Sequence, residues 1–520
     1  MKLYKSIATV SGFTAISRVL GFVRDMLIAA VIGAGPVADA FFVAFRLPNL
    51  FRSLFAEGAF NSAFVPLFSK SLTTDGKSGA RRFAEEALAV LLTVLIILTL
   101  AAEIGMPWII SLLAGGFEDN AEKFDLAVLL TRITFPYLLC MSLTALTAGI
   151  LNALGRFVAA AAAPILLNII LSAAMIIAAS FGLYHKPEAA MILAWAVSIA
   201  GFAQLAFLTV GARRQGMDLG FRLPRLTPGV KRLFWLAVPG VMTAGITQIN
   251  LFVGTMIASH SNSAVSYLYY ADRVNQLPLG IVGIAIGVVL LPELSRRLAS
   301  NDESAAMHSH NRALEFALFL TVPAAVALCI IPLPVIQALF QRGAFTADNA
   351  QAVATTLTAF AVGLPASVLI RVLLPGFFAR ENTRIPMIFA TISGVLNIAA
   401  SVTLFFFTPL GYVGIAIATS LAAWTNASLL GGTLLYQGHF RLDSALQKRG
   451  PLIILTSFIM GGVVWGLSLL IGQVFGPISG SVWHILTLVA LVTSGGAVYL
   501  VGAQLIGAVD FRTIWRSLNA

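Results

Sequence analysis

Long apolar segments separated by short polar connections run through the whole sequence. A bilayer core of about 30 Å needs about 20 consecutive, mostly apolar residues per helix, and about fourteen segments of roughly that length occur. Strands of a membrane barrel would instead alternate in polarity over about 10 residues. The pattern therefore predicts an all-α polytopic membrane protein, with spans at residues 10–32, 37–60, 88–113, 126–151, 159–181, 189–211, 233–259, 265–291, 314–340, 352–378, 386–407, 413–435, 452–474 and 482–505.

Composition points to the same class of protein. Of the 520 residues, 58% are apolar and only 11% are charged, and the mean hydropathy is +0.91. A soluble domain carries about 25% charged residues, so this chain cannot form a water-soluble surface. The two cysteines, Cys140 and Cys329, lie in apolar segments, which excludes a disulfide-stabilised secreted scaffold.

Basic residues are concentrated in every second connection between the predicted spans. Those connections include 70–82, 213–232, 296–312 and 441–449, whereas the alternate ones are uncharged, as at 33–36, or acidic, as at 118–125. Positively charged connections stay on the cytoplasmic side of a membrane. The alternation predicts that both termini are cytoplasmic. It also explains the formal net charge of +11 without nucleic-acid binding.

The two halves of the chain carry a similar pattern of residues. Asp39 and Arg46 correspond to Ser266 and Arg273, each 227 positions later in the sequence. Two six-helix lobes in the same orientation would explain this repeat, and chance similarity among apolar segments is the alternative. The repeat predicts an N-lobe over residues 1–212, a cytoplasmic linker over 213–232, a C-lobe over 233–440 and two extra helices within 441–520.

The first two spans of each lobe are unusually polar. In the N-lobe these residues are Arg18, Arg24, Asp25, Asp39, Arg46, Asn49, Arg52 and Glu57, and in the C-lobe they include Gln248, Asn250, Asp272 and Arg273. A central arginine costs at least about 2.5–3.5 kcal/mol to insert, so it must face a partner or a wet cavity. The pattern predicts a central cavity lined by cations more than by anions.

The alternative explanation is that these charges form fixed ion pairs or reach the membrane interface. For Arg52 and Glu57, which lie near a helix end, this alternative is as good as a role in the cavity. Arg24 and Asp25 are adjacent and point about 100° apart on a helix. We therefore expect a network across helices rather than a simple mutual pair.

Other chemistry has little support in the sequence. The chain lacks GxxxxGK[ST], so it has no phosphate loop of that type for ATP. His308 and His310 lie in a predicted connection without Cys or carboxylates at ligand spacing, and we expect both to be solvated. No nucleophile and base suggest a hydrolase or a glycosyl transferase. We expect no enzyme activity, no cofactor and no metal site.

Five segments resemble one family closely. They are residues 17–25 (SRVLGFVRD), 39–45 (DAFFVAF), 47–50 (LPNL), 55–59 (FAEGA) and 269–273 (YYADR). These segments, and the span count over essentially the whole chain, resemble the bacterial lipid II flippase family, MurJ or MviN. The resemblance implies the multidrug/oligosaccharidyl-lipid/polysaccharide exporter superfamily. In that superfamily two six-helix lobes alternate between inward-open and outward-open states, and in this family the two extra helices form a groove for the lipid tail.

The resemblance also implies roles for individual residues. In the family, the arginines that match Arg18, Arg24, Arg52 and Arg273, and the aspartates that match Asp25 and Asp39, are essential or line the cavity. We therefore expect substrate binding by Arg18, Arg24, Asp25, Arg52 and Arg273. We expect a cavity wall or gate formed by Ser17, Asp39, Asn49, Glu57, Ser266 and Asp272. Some members of the family bind sodium through acidic residues of the seventh and eleventh helices. A sodium site of that type is not expected here, because residues 233–259 and 386–407 contain no Asp or Glu.

The chemistry of the substrate agrees with this pattern of charges. Lipid II carries a pyrophosphate, and the planar fork of arginine suits such an anion. The sequence thus predicts a flippase of the bacterial inner membrane that moves lipid II outward by alternating access, driven by the membrane potential. Its partners would be lipid II and membrane lipids, and the resemblance leaves contact with the cell-wall synthesis machinery open.

Three other functions remain open at this point. A flippase for another polyprenyl-linked saccharide would share the arginines. A multidrug cation antiporter would need a cavity in which acidic residues dominate. The excess of arginine argues against that function. A membrane scaffold without transport would hold the same arginines in static ion pairs.

Overall fold

The structure, a computed structural model, describes residues 2–56, 59–475 and 480–508. Within these ranges, the side chains of residues 2–8, 51–56, 59–62, 239–247, 281–289 and 475 are outside the description. Seventeen α-helices and no strand form in the described ranges. The predicted all-α polytopic class is confirmed.

The helices divide into two compact units. Unit 1 comprises Met1–Ser266 with Gly343–Phe345, and unit 2 comprises Tyr267–Arg342 with Thr346–Ala520. The helices of unit 1 are α1 (Lys2–Ile32), α2 (Pro36–Ala56), α3 (Ala59–Thr74), α4 (Gly76–Leu113), α5 (Ala121–Thr134), α6 (Pro136–Ala153), α7 (Phe157–Ser180), α8 (Pro187–Arg214) and α9 (Pro228–Ala258). A 3-10 turn, Gly115–Phe117, follows α4.

The next helix, α10 (Ala264–Ala299), begins in unit 1 and continues into unit 2 after Ser266. The remaining helices belong to unit 2. They are α11 (Glu303–Ile330), α12 (Pro332–Phe340), α13 (Ala347–Phe378), α14 (Arg384–Phe406), α15 (Tyr412–Tyr436), α16 (Ser444–Phe475) and α17 (Ser481–Ile506).

Each predicted span overlaps one helix or two consecutive helices. Within the described residues, ten such segments are long and apolar enough to cross a membrane. The other predicted spans overlap α1, α2, α9 and α10, the helices to which the sequence assigned the cavity. The total of about fourteen spans stays a prediction.

Two predicted spans are interrupted in the structure. The span 126–151 is formed by α5 and α6, and the span 314–340 by α11 and α12. Pro136 and Pro332 each stand at the first position of the second helix. Proline has no N–H to donate and clashes with the preceding turn, so it starts a new helix readily but does not continue one.

The boundary between the compact units lies later in the chain than the lobe boundary predicted from the sequence repeat. The repeat starts the C-lobe at residue 233, whereas unit 2 begins at Tyr267. The difference arises because α9 packs against α2, α3 and α4 within unit 1. The lobe boundaries drawn from the repeat stay a prediction.

One hydrogen bond recurs at corresponding places in the two units. In unit 1, the hydroxyl of Ser198 on α8 donates to the carbonyl oxygen of Ile133 on α5. In unit 2, the hydroxyl of Ser420 on α15 donates to the carbonyl oxygens of Ala359 and Phe360 on α13. Ile133 and Phe360 are 227 residues apart, which is the offset of the sequence repeat, whereas the two serines are 222 residues apart. These bonds support an internal repeat.

The expectation for His310 was wrong. The side chain is buried, its Nε2 lies 2.9 Å from the carbonyl oxygen of Val372, and its ring packs against Phe440. The reason is that α11 begins at Glu303, well before the predicted span at residue 314. His310 therefore lies in a helix packed on α13 rather than in a solvated connection.

Candidate functional site

A buried ion pair on α1 is the first element of the candidate site. The guanidinium of Arg24 donates to Oδ1 of Asp25 through Nε at 3.0 Å and through Nη2 at 2.7 Å. Arg24 is only 4% exposed and Asp25 is fully buried. The expectation that these neighbours would not pair was wrong, because the long arginine side chain bends back across the angle between them.

The expected network across helices is also present. Nη1 of Arg24 donates to Oδ1 of Asn168 on α7 at 3.0 Å. Nδ2 of Asn168 in turn donates to the carbonyl oxygen of Ser17 at 2.8 Å and to its hydroxyl at 3.3 Å. α1 and α7 are therefore joined through an amide whose oxygen faces the cation. Such a set holds the arginine fork in one orientation and neutralises its charge with Asp25.

Asp39, near the start of α2, is the centre of a second cluster. Its side chain is fully buried. Oδ2 accepts hydrogen bonds from Nζ of Lys123 at 2.7 Å and from the backbone N–H of Ser263 at 3.0 Å. Oδ1 accepts from the backbone N–H of Ser266 at 2.9 Å. The carboxylate thus satisfies backbone donors at the first turn of α10, where a helix favours negative charge.

Lys123 completes this second cluster and was missed by the sequence analysis. Its side chain is buried, and its ammonium lies 3.9 Å from the centroid of the Phe117 ring as well as 2.7 Å from Asp39. Lys123 lies among acidic residues of the connection at 118–125, so the net negative charge of that connection gave no indication of a buried cation. A buried ammonium is stabilised by an anion and by the electron-rich face of an aromatic ring, and the site supplies both.

The 3-10 turn and the end of α9 meet beside the Asp39 cluster. The backbone N–H of Gly116 donates to the hydroxyl of Ser259 at 3.0 Å. A Cβ atom at Gly116 would lie 2.5 Å from backbone atoms of Ser259 and His260. Only glycine permits this approach, because backbone atoms on the opposite side cannot move as a flexible side chain could.

The end of α1 is closed by two distant segments of the same unit. The carbonyl oxygen of Ala30 accepts from the backbone N–H of Ala344 at 2.7 Å, and that of Val31 accepts from the N–H of His185 at 3.0 Å. These bonds satisfy carbonyls that a helix end leaves without a partner in the helix. These bonds fix the end of α1, and the Asp39 cluster fixes the starts of α2 and α10, all within unit 1.

Arg46 and Asn49, two other polar residues of α2, bond beside and along that helix. Nη1 of Arg46 donates to the hydroxyl of Thr255 on α9, and Nδ2 of Asn49 donates to the carbonyl oxygen of Phe45 at 3.0 Å. Pro48 cannot donate to the carbonyl of Ala44. The hydroxyl of Thr134 on α5 donates to that carbonyl instead, at 3.1 Å.

Asp272 and Arg273, the polar residues of α10 that follow Ser266, lie in unit 2. The guanidinium carbon of Arg273 is 5.5 Å from the centroid of the Tyr269 ring, a cation–π geometry. Nε2 of Gln276 donates to Oδ2 of Asp272 at 2.5 Å. Arg273 and Asp272 are both partly exposed, so Arg273 keeps access to solvent that Arg24 lacks.

The structure places the predicted residues unevenly. It brings Ser17, Arg24 and Asp25 into one cluster and Asp39 and Ser266 into another. Arg18 is exposed on α1. Glu57 and the side chain of Arg52 lie outside the described residues. Asn168 was not among the predicted site residues, because its uncharged side chain gave no signal in the sequence.

Comparison with known proteins gives a consistent result over nearly the whole chain. The family described as "Lipid II flippase MurJ" matches residues 28–486. A protein of Rhizobium tropici named "Probable lipid II flippase MurJ" is 47% identical, with 100% of this chain and 97% of the relative covered. A protein of the same name from Rhizobium meliloti (strain 1021) is 48% identical, with the same shares covered.

Solved structures agree with the sequence comparisons. A structure titled "Lipid II flippase MurJ, inward closed conformation" matches with a TM-score of 0.77 and 25% identity, covering 98% of this chain and 99% of the other. An inward-facing multidrug resistance transporter of the MATE family matches with a TM-score of 0.68, covering 81% of this chain and 95% of the other. At 14% identity, the second likeness shows the fold alone.

Proposed function

The chain belongs to the lipid II flippase MurJ family, and from this premise we propose that it carries lipid II from the cytoplasmic to the outer leaflet by alternating access. It is a multi-pass membrane protein, and the family is one of transporters. We propose further that it converts no substrate chemically, that it resides in the bacterial inner membrane, and that both termini are cytoplasmic, as the alternation of basic connections indicates.

The observation that carries this proposal is the set of bonds around Arg24. A guanidinium is well suited to a pyrophosphate, but here three of its N–H groups are engaged by Asp25 and Asn168. Holding the cation in this way stabilises it when no anion is bound. The pyrophosphate of lipid II would replace one or more of these acceptors, and the exposed Arg18 on the same helix would supply further donors. We also propose that Arg273 binds substrate, on the family resemblance alone.

The Asp39 cluster would act as part of the gate. In this structure, Asp39 and Ser259 accept hydrogen bonds from Lys123, Ser263, Ser266 and Gly116. By the predicted topology these residues lie on the outward side, so their bonds would close that side. Release of a buried ion pair exposes both charges to water, which offsets the lost attraction and makes the cluster reversible.

The membrane potential would drive export. The head group of lipid II is anionic, and the cytoplasm is negative. Outward movement of each net negative charge gains about 2.3 kcal/mol per 100 mV. This proposal predicts that a valinomycin-induced potassium diffusion potential, negative on the side of the lipid II pool, accelerates its translocation in proteoliposomes. Equal rates at both polarities would exclude a charge-moving step.

The test in cells uses a bacterium that has been depleted of its own lipid II flippase. The wild-type chain should restore growth, whereas Arg24→Ala and Arg273→Ala should fail while their abundance in the membrane stays normal. Lys70→Gln, which removes a basic charge from an exposed position near the end of α3, is the control and should restore growth. Normal growth with either arginine variant would remove that residue from the binding site.

A further inference from the structure

The linker between α8 and α9 is bound to α4 rather than free. We name residues 217–227 the strap. Oε1 of Glu85 accepts from the backbone N–H of Gly220 at 3.0 Å, and Oε2 accepts from Nε of Arg222 at 2.5 Å. The hydroxyl of Thr227 donates to Oε2 of Glu86 at 2.9 Å. These bonds fix both the middle and the end of the strap to one turn of α4.

The strap has an inner and an outer side. Arg222 turns toward Glu85, while its neighbours Phe221 and Leu223 are 90% and 77% exposed. Such alternation is normal for an extended segment. Leu226 is exposed as well. The strap therefore holds three large apolar side chains away from the protein, although burying them against it would be favourable.

The level of the strap along α4 suggests what covers these side chains. Glu85 and Glu86 are the last charged residues before the sixteen uncharged residues 87–102. A helix rises about 1.5 Å per residue, so Glu85 lies within about 5 Å of the start of that apolar run. The strap thus lies where the head groups of a bilayer would be.

Charge and aromatic residues around the strap fit the same surface. Residues 213–232 contain six basic residues and one acidic residue. Trp235, in the second turn of α9, is 78% exposed, and exposed tryptophans near helix ends are typical of the membrane interface. Basic residues beside a membrane are attracted to anionic lipids by about 1 kcal/mol each.

We propose that the strap is a membrane-surface anchor that binds anionic phospholipid. Phe221, Leu223 and Leu226 enter the head-group layer, and Arg225, Lys231 and Arg232, all exposed, contact lipid phosphates. Glu85 and Glu86 hold the strap at that level. The anchor would fix this end of unit 1 to the bilayer, and the proposal is independent of which substrate the protein carries.

The depth of the strap can be measured with a spin label. A nitroxide is attached to Leu223→Cys in a Cys329→Ala background, in which the remaining native thiol, Cys140, is buried. The full-length protein is reconstituted in vesicles of phosphatidylethanolamine and phosphatidylglycerol. Oxygen should relax the label more effectively than a water-soluble nickel complex, because oxygen concentrates in lipid.

The control label is placed at Ser78→Cys, an exposed position that lies about 10 Å further from the apolar run than Glu85 does, measured along α4. There the nickel complex should be the more effective reagent. If the nickel complex is equally effective at both positions, the strap lies in water and the proposal is wrong. Protection of Leu223→Cys from both reagents would mean that protein covers the strap, which also overturns it.

The lipid charge is tested by native mass spectrometry of the purified protein with added phosphatidylglycerol. Arg225→Gln combined with Lys231→Gln should lower phosphatidylglycerol binding about thirtyfold, given an attraction of about 1 kcal/mol per basic residue. Lys70→Gln combined with Lys77→Gln removes the same charge from another basic connection and should leave binding within about twofold of the wild type. Equal binding by the two double variants would contradict an anionic-lipid site at the strap.

Discussion

Asp39 and Ser266 are joined directly, by a hydrogen bond of 2.9 Å from the backbone N–H of Ser266 to Oδ1 of Asp39. The two residues stand 227 positions apart in the sequence, at places that the repeat aligns with each other. One carboxylate therefore links the first turn of α2 to the first turn of α10. Because Lys123 bonds to the same carboxylate, the link depends on a buried charge pair.

The buried pair predicts unequal effects of its two neutralising variants. Asp39→Asn leaves the Lys123 ammonium buried without an anion and should lower stability by about 3–5 kcal/mol. Lys123→Met leaves Asp39 with two backbone N–H donors, so its cost should be smaller. Thermal unfolding of the purified variants in detergent provides the comparison.

The double variant provides the check on that coupling. Asp39→Asn with Lys123→Met removes both charges, and it should be more stable than Asp39→Asn alone. If the two single effects simply add in the double variant, the charges are not coupled and the cluster is held by its backbone bonds only.

The close approach of Gly116 to the end of α9 predicts a position-specific effect. Gly116→Val should force the 3-10 turn away from Ser259 and His260, because its Cβ would meet backbone atoms at 2.5 Å. In an Ala264→Cys, Cys329→Ala background, labelling of the buried position 264 by an impermeant maleimide, added to whole cells, should rise several-fold.

The adjacent glycine supplies the matched control. A Cβ atom at Gly115 would meet no atom within 4 Å, so Gly115→Val should leave labelling of position 264 unchanged. Similar labelling with both valine variants would show that the turn does not cover the start of α10.

Asn168 predicts a role for an uncharged residue in the handling of an anion. Asn168→Ala removes the acceptor of Arg24 Nη1 but keeps the two hydrogen bonds from Arg24 to Asp25. A hydrogen bond to a charged group contributes about 1.5–3 kcal/mol, so lipid II translocation should fall by about tenfold or more. Ser17→Ala should have a much smaller effect, because the stronger bond of Asn168 is to the Ser17 carbonyl. Wild-type translocation by Asn168→Ala would contradict this role.

A network in unit 2 predicts a simple dependence of stability on pH. Burial would raise the pKa of Asp443, but the backbone N–H of Leu446 and the guanidinium of Arg312 outweigh it and hold that pKa below its ordinary value. A depressed pKa means that this carboxylate stabilises the fold above its unfolded pKa of about 3.9 and loses the effect as pH falls through the folded pKa.

The measurement compares unfolding of the wild type and Asp443→Asn in detergent across pH. The wild type should be more stable by about 1 kcal/mol from pH 5 to 8, and the difference should shrink as the pH falls below the ordinary pKa of an aspartate, about 3.9. A difference that grows as the pH falls would reverse the predicted sign.

The length and polarity of the apolar spans predicted the all-α polytopic class, because a bilayer imposes both on its helices. The helix breaks at Pro136 and Pro332 and the extra helix α3 were not predicted. A continuous apolar run does not reveal a break, and α3 extends from a predicted span into a polar connection. His310 was misplaced for a related reason, since α11 begins before its apolar segment does.

The candidate site was predicted by residue type but not by partner. The cost of charge in a membrane singled out Arg24, Asp25 and Asp39. Lys123 escaped because it is 84 residues from Asp39 and lies among acidic neighbours. Asn168 escaped because one amide in an apolar helix has no sequence signal of its own. Side-chain length, which let Arg24 reach Asp25, is likewise not visible in helical spacing.

The central claim is tested most directly by translocation of labelled lipid II in proteoliposomes that contain the purified protein. The wild type should move lipid II between leaflets under a membrane potential. It should not move a polyprenyl phosphate that lacks the disaccharide–peptide head group. Arg24→Ala, incorporated in equal amount, should reduce movement to that of protein-free vesicles. Failure of the wild type to move lipid II, or movement by Arg24→Ala at the wild-type rate, would contradict the proposal.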